Sequence, residues 1–201
     1  MLTIGITGGT GCGKTALLRR IEARGGFGID CDALYYTLLR TDAPLRAALT
    51  EAFGEVFLPD GGLDRQRLGA CVFSDPAQLE RLNQIVFLHV RRAVEALLRR
   101  EKGAGRALVC IDAINLFQSG LDALCDTTVG VLAPEKTRLA RIMARDGIGE
   151  EYALLRTRAQ APDAFYRAHC RHILENSGKD PRAFEKQADL LLDNLTKENG
   201  T

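Results

Sequence analysis

One segment near the start of the chain has the residue types and the spacing that phosphate binding requires. Gly8-Gly9-Thr10-Gly11-Cys12-Gly13-Lys14-Thr15 fits the pattern G-x-x-x-x-G-K-[ST] and is the candidate phosphate loop. Its glycines let consecutive backbone N–H groups point into one concavity, where they and a helix N-terminus hold phosphate oxygens. Lys14 would reach the terminal phosphates, and the Thr15 hydroxyl would bind Mg²⁺. The alternative is a glycine-rich turn that holds a lysine by chance.

The elements on either side of the phosphate loop are those that must position it. The apolar run Leu2–Thr7 directly precedes the loop and predicts a strand, and a helix is expected to begin near Gly13. A strand before and a helix after are the context that gives the pattern its mechanism. The nucleotide-binding residues expected here are Gly8, Gly11, Cys12, Gly13, Lys14, Thr15 and Ala16.

Apolar runs of strand length recur along the chain and alternate with segments of helical periodicity. This alternation is typical of a parallel sheet that is covered by helices on both faces. The sequence therefore predicts an α/β fold of the P-loop NTPase type, with five parallel strands at 2–7, 26–30, 107–111, 128–133 and 172–174.

The longest segment without a strand signal, 32–103, is predicted to be a helical, substrate-binding insertion in a single P-loop kinase domain. The predicted core comprises about 1–31, 104–145 and 170–201. Residues 146–169 contain several arginines and no strand pattern, as a mobile lid over a nucleotide would. The predicted helices are 32–40, 44–53, 64–72, 76–102, 134–145 and 181–195.

Three aspartates lie at the ends of predicted strands, at the edge of the sheet where doubly wound folds bind their ligands. Asp30 ends the second strand, Asp32 comes just after it, and Asp112 follows the third. Asp32 is a candidate for the carboxylate beside an acceptor hydroxyl, and the alternative is that it is the N-cap of the next helix. Asp112 is a candidate for the shell of Mg²⁺, and almost equally for the cap of a turn. The sequence leaves both choices open.

Two arginines are candidates for contact with a triphosphate. Arg141 and Arg145 share one face of the predicted helix 134–145 with Arg138, because their spacings are three and four residues. A planar guanidinium suits phosphate oxygens and stabilises the charge that develops during transfer. The alternative is that they are solvated arginines on a helix surface.

Composition narrows the function classes. The 201 residues carry 27 basic and 26 acidic side chains and a net charge of +1, so no long-range field favours nucleic acid or an anionic membrane. The sequence does not start with a charged segment followed by a long apolar stretch, and it contains no run of 18 apolar residues. We therefore expect a soluble, cytoplasmic protein. The six cysteines show no C-x-x-C spacing, which argues against a zinc site or a redox pair. We expect buried or semi-buried thiols, with an accessible Cys12 in the phosphate loop as the alternative.

Several further motifs accompany the phosphate loop. They are Ile29-Asp30-Cys31-Asp32, Gly61-Gly62-Leu63-Asp64-Arg65, Val72-Phe73-Ser74-Asp75-Pro76, Arg141-Ile142-Met143-Ala144-Arg145-Asp146-Gly147, Gln160 and Asn176-Ser177-Gly178. With these the chain resembles dephospho-CoA kinases over nearly its whole length. The resemblance implies a P-loop kinase core, a helical substrate domain and a lid. It also implies that ATP and Mg²⁺ are used to phosphorylate the ribose 3′-hydroxyl of dephospho-CoA, in the last step of coenzyme A synthesis.

The resemblance also implies residue roles. Gly11–Thr15 would bind ATP, and Asp32 would orient or deprotonate the 3′-hydroxyl. Arg141 and Arg145 would be phosphate ligands on the lid side. Asn176 and Gly178 would lie in the loop beside the adenine of ATP.

The chain departs from the family pattern on the acceptor side. The family has a His-Pro pair where this chain has Phe87-Leu88, an arginine at Tyr36, and a P-L-L-F-E run at Ile114-Asn115-Leu116-Phe117-Gln118. These departures leave the ATP-binding motif intact and concern the acceptor.

Three hypotheses about function therefore remain: a dephospho-CoA kinase, a P-loop kinase of a nucleotide or another small alcohol, and a nucleotide- or CoA-binding regulator without turnover. The residues Lys14, Thr15 and Asp32 argue against the regulator, because a chain without catalysis has no need of all three. Oligomeric state, metal preference and regulation are not specified by the sequence.

Overall fold

A computed structural model describes residues 1–73, 75–177 and 180–200 of the chain. The strands form one five-stranded parallel sheet in the order β2-β3-β1-β4-β5, which confirms the predicted α/β fold. Each strand lies within two residues of its predicted bounds, because each is an apolar run in a buried sheet. The strands are β1 (Leu2–Thr7), β2 (Phe27–Asp30), β3 (Leu108–Asp112), β4 (Thr127–Leu132) and β5 (His172–Glu175).

The central strand β1 determines where the site lies. It is buried along its whole length and pairs in parallel with β3 on one side and β4 on the other. In this register Ile6 is opposite both Asp112 and Val129. Since parallel strands end at the same edge of a sheet, the phosphate loop and Asp112 both lie at the carboxyl edge, where doubly wound folds bind ligands.

The helices cover the sheet and form the long insertion. All four helices predicted between residues 32 and 103 are confirmed within about two residues, as is the helix after β4. The helices are α1 (Lys14–Ala23), α2 (Cys31–Thr41), α3 (Ala43–Phe53), α4 (Arg65–Val72), α5 (Pro76–Gly103), α6 (Glu135–Asp146), α7 (Glu150–Arg158), α8 (Asp163–His169) and α9 (Pro181–Glu198), with a 3₁₀ turn at Leu121–Leu124.

Two of these helices, α7 and α8, lie in the segment that the sequence predicted only as a lid. In α7 the apolar residues are spread around the helix, and only Ala153 and Thr157 are buried. A helix of that kind has no apolar stripe, which is the main sequence signal for a helix. Helix α8 is seven residues long, two turns at most. Neither helix could therefore be recognised from periodicity.

Helix α1 is held against the sheet by a core that includes the last helix, α9. Leu17 and Ile21 of α1 pack in one cluster with Ile4 of β1 and with Phe184 and Leu192 of α9. On the outer side of the two helices, Arg20 pairs with Asp189, and Arg24 lies 2.6 Å from Asp193. The buried apolar contacts stabilise this packing more than the partly exposed ion pairs do. They fix the start of α1 and thus the end of the phosphate loop.

The chain forms two compact units, Met1–Ile29 with Leu98–Thr201, and Asp30–Leu97. The second unit has its own apolar cluster, which includes Leu39, Leu45 and Leu68. Side chains cap its helices: Asp42 accepts from the Leu45 N–H at 3.0 Å, and Asp64 caps α4 as the sequence suggested. Across the three described ranges, no helix has the length and apolar character needed to span a bilayer.

Candidate phosphate-binding and catalytic site

Three glycines give the phosphate loop its shape. Gly8, Gly11 and Gly13 have φ angles of 135°, 82° and 101°, in the region that disfavours side chains. Space is lacking as well: a Cβ at Gly8 would lie 2.2 Å from the Val131 carbonyl oxygen, and one at Gly13 would lie 2.2 Å from the side-chain nitrogen of Asn176. The loop thus packs directly on neighbouring parts of its unit, and glycine is required at these positions.

The carbonyl groups of the phosphate loop are turned toward protein donors. Every carbonyl from Gly8 to Cys12 accepts a hydrogen bond from the surrounding protein or from the loop itself. The donors are Lys14 Nζ to Gly8 O (2.9 Å), Cys12 N to Gly9 O (3.2 Å), Arg138 Nε to Thr10 O (3.1 Å), Arg141 Nη1 to Gly11 O (3.0 Å) and Asn176 Nδ2 to Cys12 O (2.9 Å).

The backbone N–H groups at the end of the loop are left for a ligand. Within the described part of the chain, the N–H groups of Gly11, Gly13, Lys14 and Thr15 have no acceptor, whereas Ala16 donates to Gly13 O at 3.0 Å. Consecutive free N–H groups at the start of a helix form an anion-binding concavity, which the helix dipole makes more positive. This arrangement favours an anion at the end of the loop, and the phosphate site stays a prediction.

The structure decides which aspartate caps α2. Asp30 is the N-cap, since its Oδ1 accepts from the Ala33 N–H at 2.9 Å. Asp32 lies in the first turn of α2 and is exposed. The alternative interpretation of Asp32 as the cap is therefore wrong. Its position two residues after β2 leaves the catalytic hypothesis standing.

Asp112 is the last residue of β3 and is half-buried. It lies across from Ile6, and the Thr7 hydroxyl of the following residue donates to Ile114 O at 3.1 Å. Thr15 is exposed in the first turn of α1. No group of three or more His, Cys, Asp or Glu side chains that could hold a metal occurs among the residues that the structure describes.

Arg141 lies beneath the loop. Its Nη1 bonds to Gly11 O at 3.0 Å, and its Nη2 donates to the Asn176 side-chain oxygen, also at 3.0 Å. Asn176 is buried, and both polar atoms of its side chain are used, because Nδ2 donates to Cys12 O. Both residues thus support the loop from its protein side. Gly178, the other residue expected beside adenine, lies outside the described residues.

Arg145 is one turn further along α6 and is exposed. Its Nε and Nη2 bond to the two carboxylate oxygens of Asp146, at 2.7 and 3.0 Å, and Arg156 of α7 bonds to the same carboxylate at 2.6 Å. The hydrogen bond from Arg145 holds the pKa of Asp146 down, at about 2. Arg145 and Arg156 therefore share one counter-ion at neutral pH.

Sequence reasoning assigned no role to two residues that contact the loop. Arg138 is buried with 7% of its surface exposed, and Gln160 lies between α7 and α8. Both bond to Thr10, a position that the phosphate-binding pattern leaves variable. The sequence indicated only that Arg138 shares a face of the predicted helix 134–145 with Arg141 and Arg145. Its burial depends on contacts 128 residues away and left no local signal.

The residues that depart from the family pattern are found in both units. Tyr36 is about half exposed, and the guanidinium of Arg65 lies 5.1 Å from the centre of its ring. Leu88 is also about half exposed, and Phe87 is partly buried. After β3, Ile114 is partly buried, whereas Asn115 and Gln118 are exposed.

Cys12 is completely buried, as expected for the thiols in general, and the alternative of an accessible thiol in the loop is therefore excluded. Its side chain packs in the core cluster below the sheet edge, and burial raises the pKa of the thiol. A raised pKa leaves less thiolate at pH 8, and only the thiolate is reactive. We expect iodoacetamide at pH 8 to leave Cys12 unmodified in the folded protein and to modify it in urea, as measured by peptide mass mapping. Fast labelling of Cys12 without urea would contradict the buried position.

The loop lies between the central strand β1 and helix α1 at the carboxyl edge of a parallel sheet. On one side of β1, strand β3 ends with Asp112, and β2 beyond it ends with Asp30. Fold and loop together define a P-loop kinase. A sequence model described as dephospho-CoA kinase matches residues 2–181. The chain belongs to the dephospho-CoA kinase family.

Individual relatives agree with this assignment. The dephospho-CoA kinase of Anaeromyxobacter dehalogenans is 38% identical over 201 residues, which are 100% of this chain and 95% of that protein. A crystal structure of a Thermus thermophilus protein superposes with a TM-score of 0.80 at 34% identity, covering 97% of this chain and 98% of that one. Dephospho-CoA kinase from Campylobacter jejuni has a TM-score of 0.70 at 20% identity, covering 98% of both chains, and supports the fold.

Proposed function

We propose that the protein transfers the γ-phosphoryl group of ATP to the ribose 3′-hydroxyl of dephospho-CoA, giving coenzyme A and ADP. The observation that carries this proposal is the phosphate loop, in a chain that belongs to this family. The carbonyls of the loop accept hydrogen bonds from the protein, and its last N–H groups have no acceptor among the described residues. Such a loop suits a nucleoside triphosphate. The family supplies the identity of the acceptor.

Lys14 and the loop N–H groups would bind the phosphates. Lys14 Nζ donates to Gly8 O at 2.9 Å, so the ammonium lies beside the first residue of the loop. An ammonium on a flexible stem exchanges a carbonyl partner for a phosphate oxygen at small cost. In the transition state, charge accumulates on the oxygens of the transferred group, and fixed donors there lower the barrier.

Asp32 is the proposed carboxylate for the acceptor. Because Asp30 supplies the helix cap, Asp32 is not needed for that purpose. A carboxylate that accepts the proton of the 3′-hydroxyl as the O–P bond forms acts as a general base. The role also fits the place of Asp32 just after a strand that ends at the carboxyl edge.

Thr15 and Asp112 fit Mg²⁺ as a hydroxyl and a carboxylate, which are hard oxygen ligands. Mg²⁺ in kinases is usually held by one or two protein groups together with substrate phosphates and water, and the lack of a larger acidic cluster among the described residues agrees with this. The metal would neutralise charge on the β- and γ-phosphates.

Arg141 and Arg145 are proposed as phosphate ligands. The guanidinium of Arg141 already contacts the loop, and its five N–H donors allow it to serve the loop and a phosphate together. Arg145 would have to exchange its bonds to Asp146 for phosphate, and Arg156 would remain to pair with that carboxylate.

The test is an assay of purified protein with Mg²⁺, ATP and either dephospho-CoA or a panel of nucleoside monophosphates and small alcohols, with mass detection of the products. We expect coenzyme A from dephospho-CoA and no phosphorylation of the panel. Turnover of a panel member alone would assign a different acceptor, which the departures at Tyr36 and Phe87-Leu88 would explain. ATP binding without turnover of any acceptor would favour the regulator.

The predicted cytoplasmic location is part of the same proposal. All six cysteines are free, which is typical of proteins in reducing compartments. Fractionation of cells that carry a tagged copy would test it, with the protein expected in the cytoplasmic fraction.

A further inference from the structure

Thr10 has an unusual set of partners for a residue in a variable position of the phosphate loop. Its N–H donates to Gln160 Oε1 at 2.8 Å, and its hydroxyl accepts from Gln160 Nε2 at 2.6 Å. Its carbonyl accepts from Arg138 Nε at 3.1 Å. All three polar groups of Thr10 are thus bonded to two side chains that come from outside the loop. Arg138 and Gln160 together are called the Thr10 clamp.

The two members of the clamp also hold each other. Arg138 Nη2 donates to Gln160 Oε1 at 3.1 Å, and Arg138 Nη1 is 3.8 Å from the carboxylate of Asp163. Arg138 and Thr10 are each only 7% exposed. Hydrogen bonds that are shielded from water and share partners reinforce one another. The clamp therefore acts as one unit and is not a set of separate surface contacts.

The clamp also lies tightly against the loop backbone. A Cβ at Gly9 would be 2.3 Å from Arg138 Nη2 and 3.0 Å from Gln160 Oε1. The backbone of Arg138 also lies close to the loop: a Cβ at Gly11 would be 2.8 Å from the Arg138 carbonyl oxygen. Contacts at Gly9, Thr10 and Gly11 leave the first half of the loop little freedom to change its conformation.

We propose that Arg138 and Gln160 are positioning residues which, through Thr10, hold the phosphate loop in its phosphate-binding shape before ATP arrives. Neither residue has to touch the nucleotide. Fixing the loop in advance removes an ordering cost from ATP binding and so raises the affinity. Gln160 lies between α7 and α8, so the clamp also anchors the segment predicted as a lid to the loop. The inference rests on the proposed function only in taking ATP as the ligand.

The experiment compares ATP dissociation constants, measured by calorimetry without acceptor, for Gln160→Leu, Thr10→Val and the double variant. Gln160→Leu removes both bonds to Thr10, and Thr10→Val removes only the hydroxyl. We expect about tenfold weaker ATP binding for Gln160→Leu, a smaller loss for Thr10→Val, and a double variant no weaker than Gln160→Leu alone, since the two bonds are coupled. Thr10→Ser, which keeps the hydroxyl, should bind ATP within about twofold of the wild type.

Gln187→Leu is the matched control, because Gln187 is exposed on α9 and the chemical change is the same. It should leave ATP affinity unchanged. If the clamp only stabilised the fold, Gln160→Leu and Thr10→Val would have a lower melting temperature, but their ATP affinity would stay within twofold of the wild type. That result would overturn the proposal. Additive losses in the double variant would also overturn it.

Failure of the proposed function would look different. It would appear in the wild type as a lack of dephospho-CoA phosphorylation, whereas the clamp is tested by ATP affinity without acceptor. If the wild type phosphorylates dephospho-CoA, the variants should show a raised KM for ATP and a KM for dephospho-CoA that changes less than twofold.

Discussion

Replacing Lys14 with alanine is expected to lower kcat/KM for ATP by at least about 100-fold, because the variant loses the cation that stabilises charge on the transferred phosphoryl group. The loss should be larger in kcat than in ATP affinity, since the loop N–H groups remain to bind the ground state. Steady-state kinetics with varied ATP, together with the ATP dissociation constant, provide both quantities.

Lys14 also bonds to Gly8 O, so loss of loop shape must be separated from loss of charge. An unchanged melting temperature in Lys14→Ala, with a loss of ATP affinity much smaller than the loss of kcat, would show that the loop keeps its shape. Lys186→Ala on the exposed side of α9 is the control and should behave as the wild type does. Activity of Lys14→Ala within tenfold of the wild type would rule out its proposed role.

Replacing Asp32 with asparagine is expected to lower kcat by about 10²- to 10⁴-fold, the range typical of a lost general base. Asparagine keeps the shape of the side chain and removes the proton acceptor. ATP affinity should change less than twofold, because Asp32 is proposed to act on the acceptor. Single-turnover kinetics at saturating ATP would measure the chemical step directly.

Asp30→Asn is the matched control for this prediction, since asparagine is as good an N-cap as aspartate. We expect Asp30→Asn to retain both stability and activity. A structural role of Asp32 would instead show as equal losses of kcat, ATP affinity and melting temperature in Asp32→Asn. If the Asp30 variant lost activity and the Asp32 variant kept it, the catalytic role would belong to the residue that caps α2.

The sequence predicted the strands and the phosphate loop because both have local signals. An apolar run such as Leu2–Thr7 indicates a buried strand wherever it lies, and the loop pattern requires only its own residues. Helix α7 has no apolar stripe, and the sequence therefore did not indicate it. The burial of Cys12 also has no local signal, because it depends on the core cluster beneath the loop.

The choice between Asp30 and Asp32 as helix cap shows a second limit. The sequence indicated only Asp32 as a cap, but α2 begins two residues earlier than that cap requires, and Asp30 is therefore the cap. The side chains that bond to the loop could be predicted even less from the sequence. Gln160 and Asn176 lie 150 and 164 residues after the loop residues to which they bond, and only the folded sheet brings them to the loop.

The close approach of Arg138 to Gly9 bears on attempts to move this loop between proteins. The general pattern allows any residue at position 9, yet here a side chain would collide with Arg138 at 2.3 Å. We therefore expect that the eight residues of the phosphate loop would not keep their conformation when transferred alone to another protein. A chimera that received them without counterparts of Arg138, Gln160 and Asn176 would carry the full consensus and still lack the scaffold that gives it its shape.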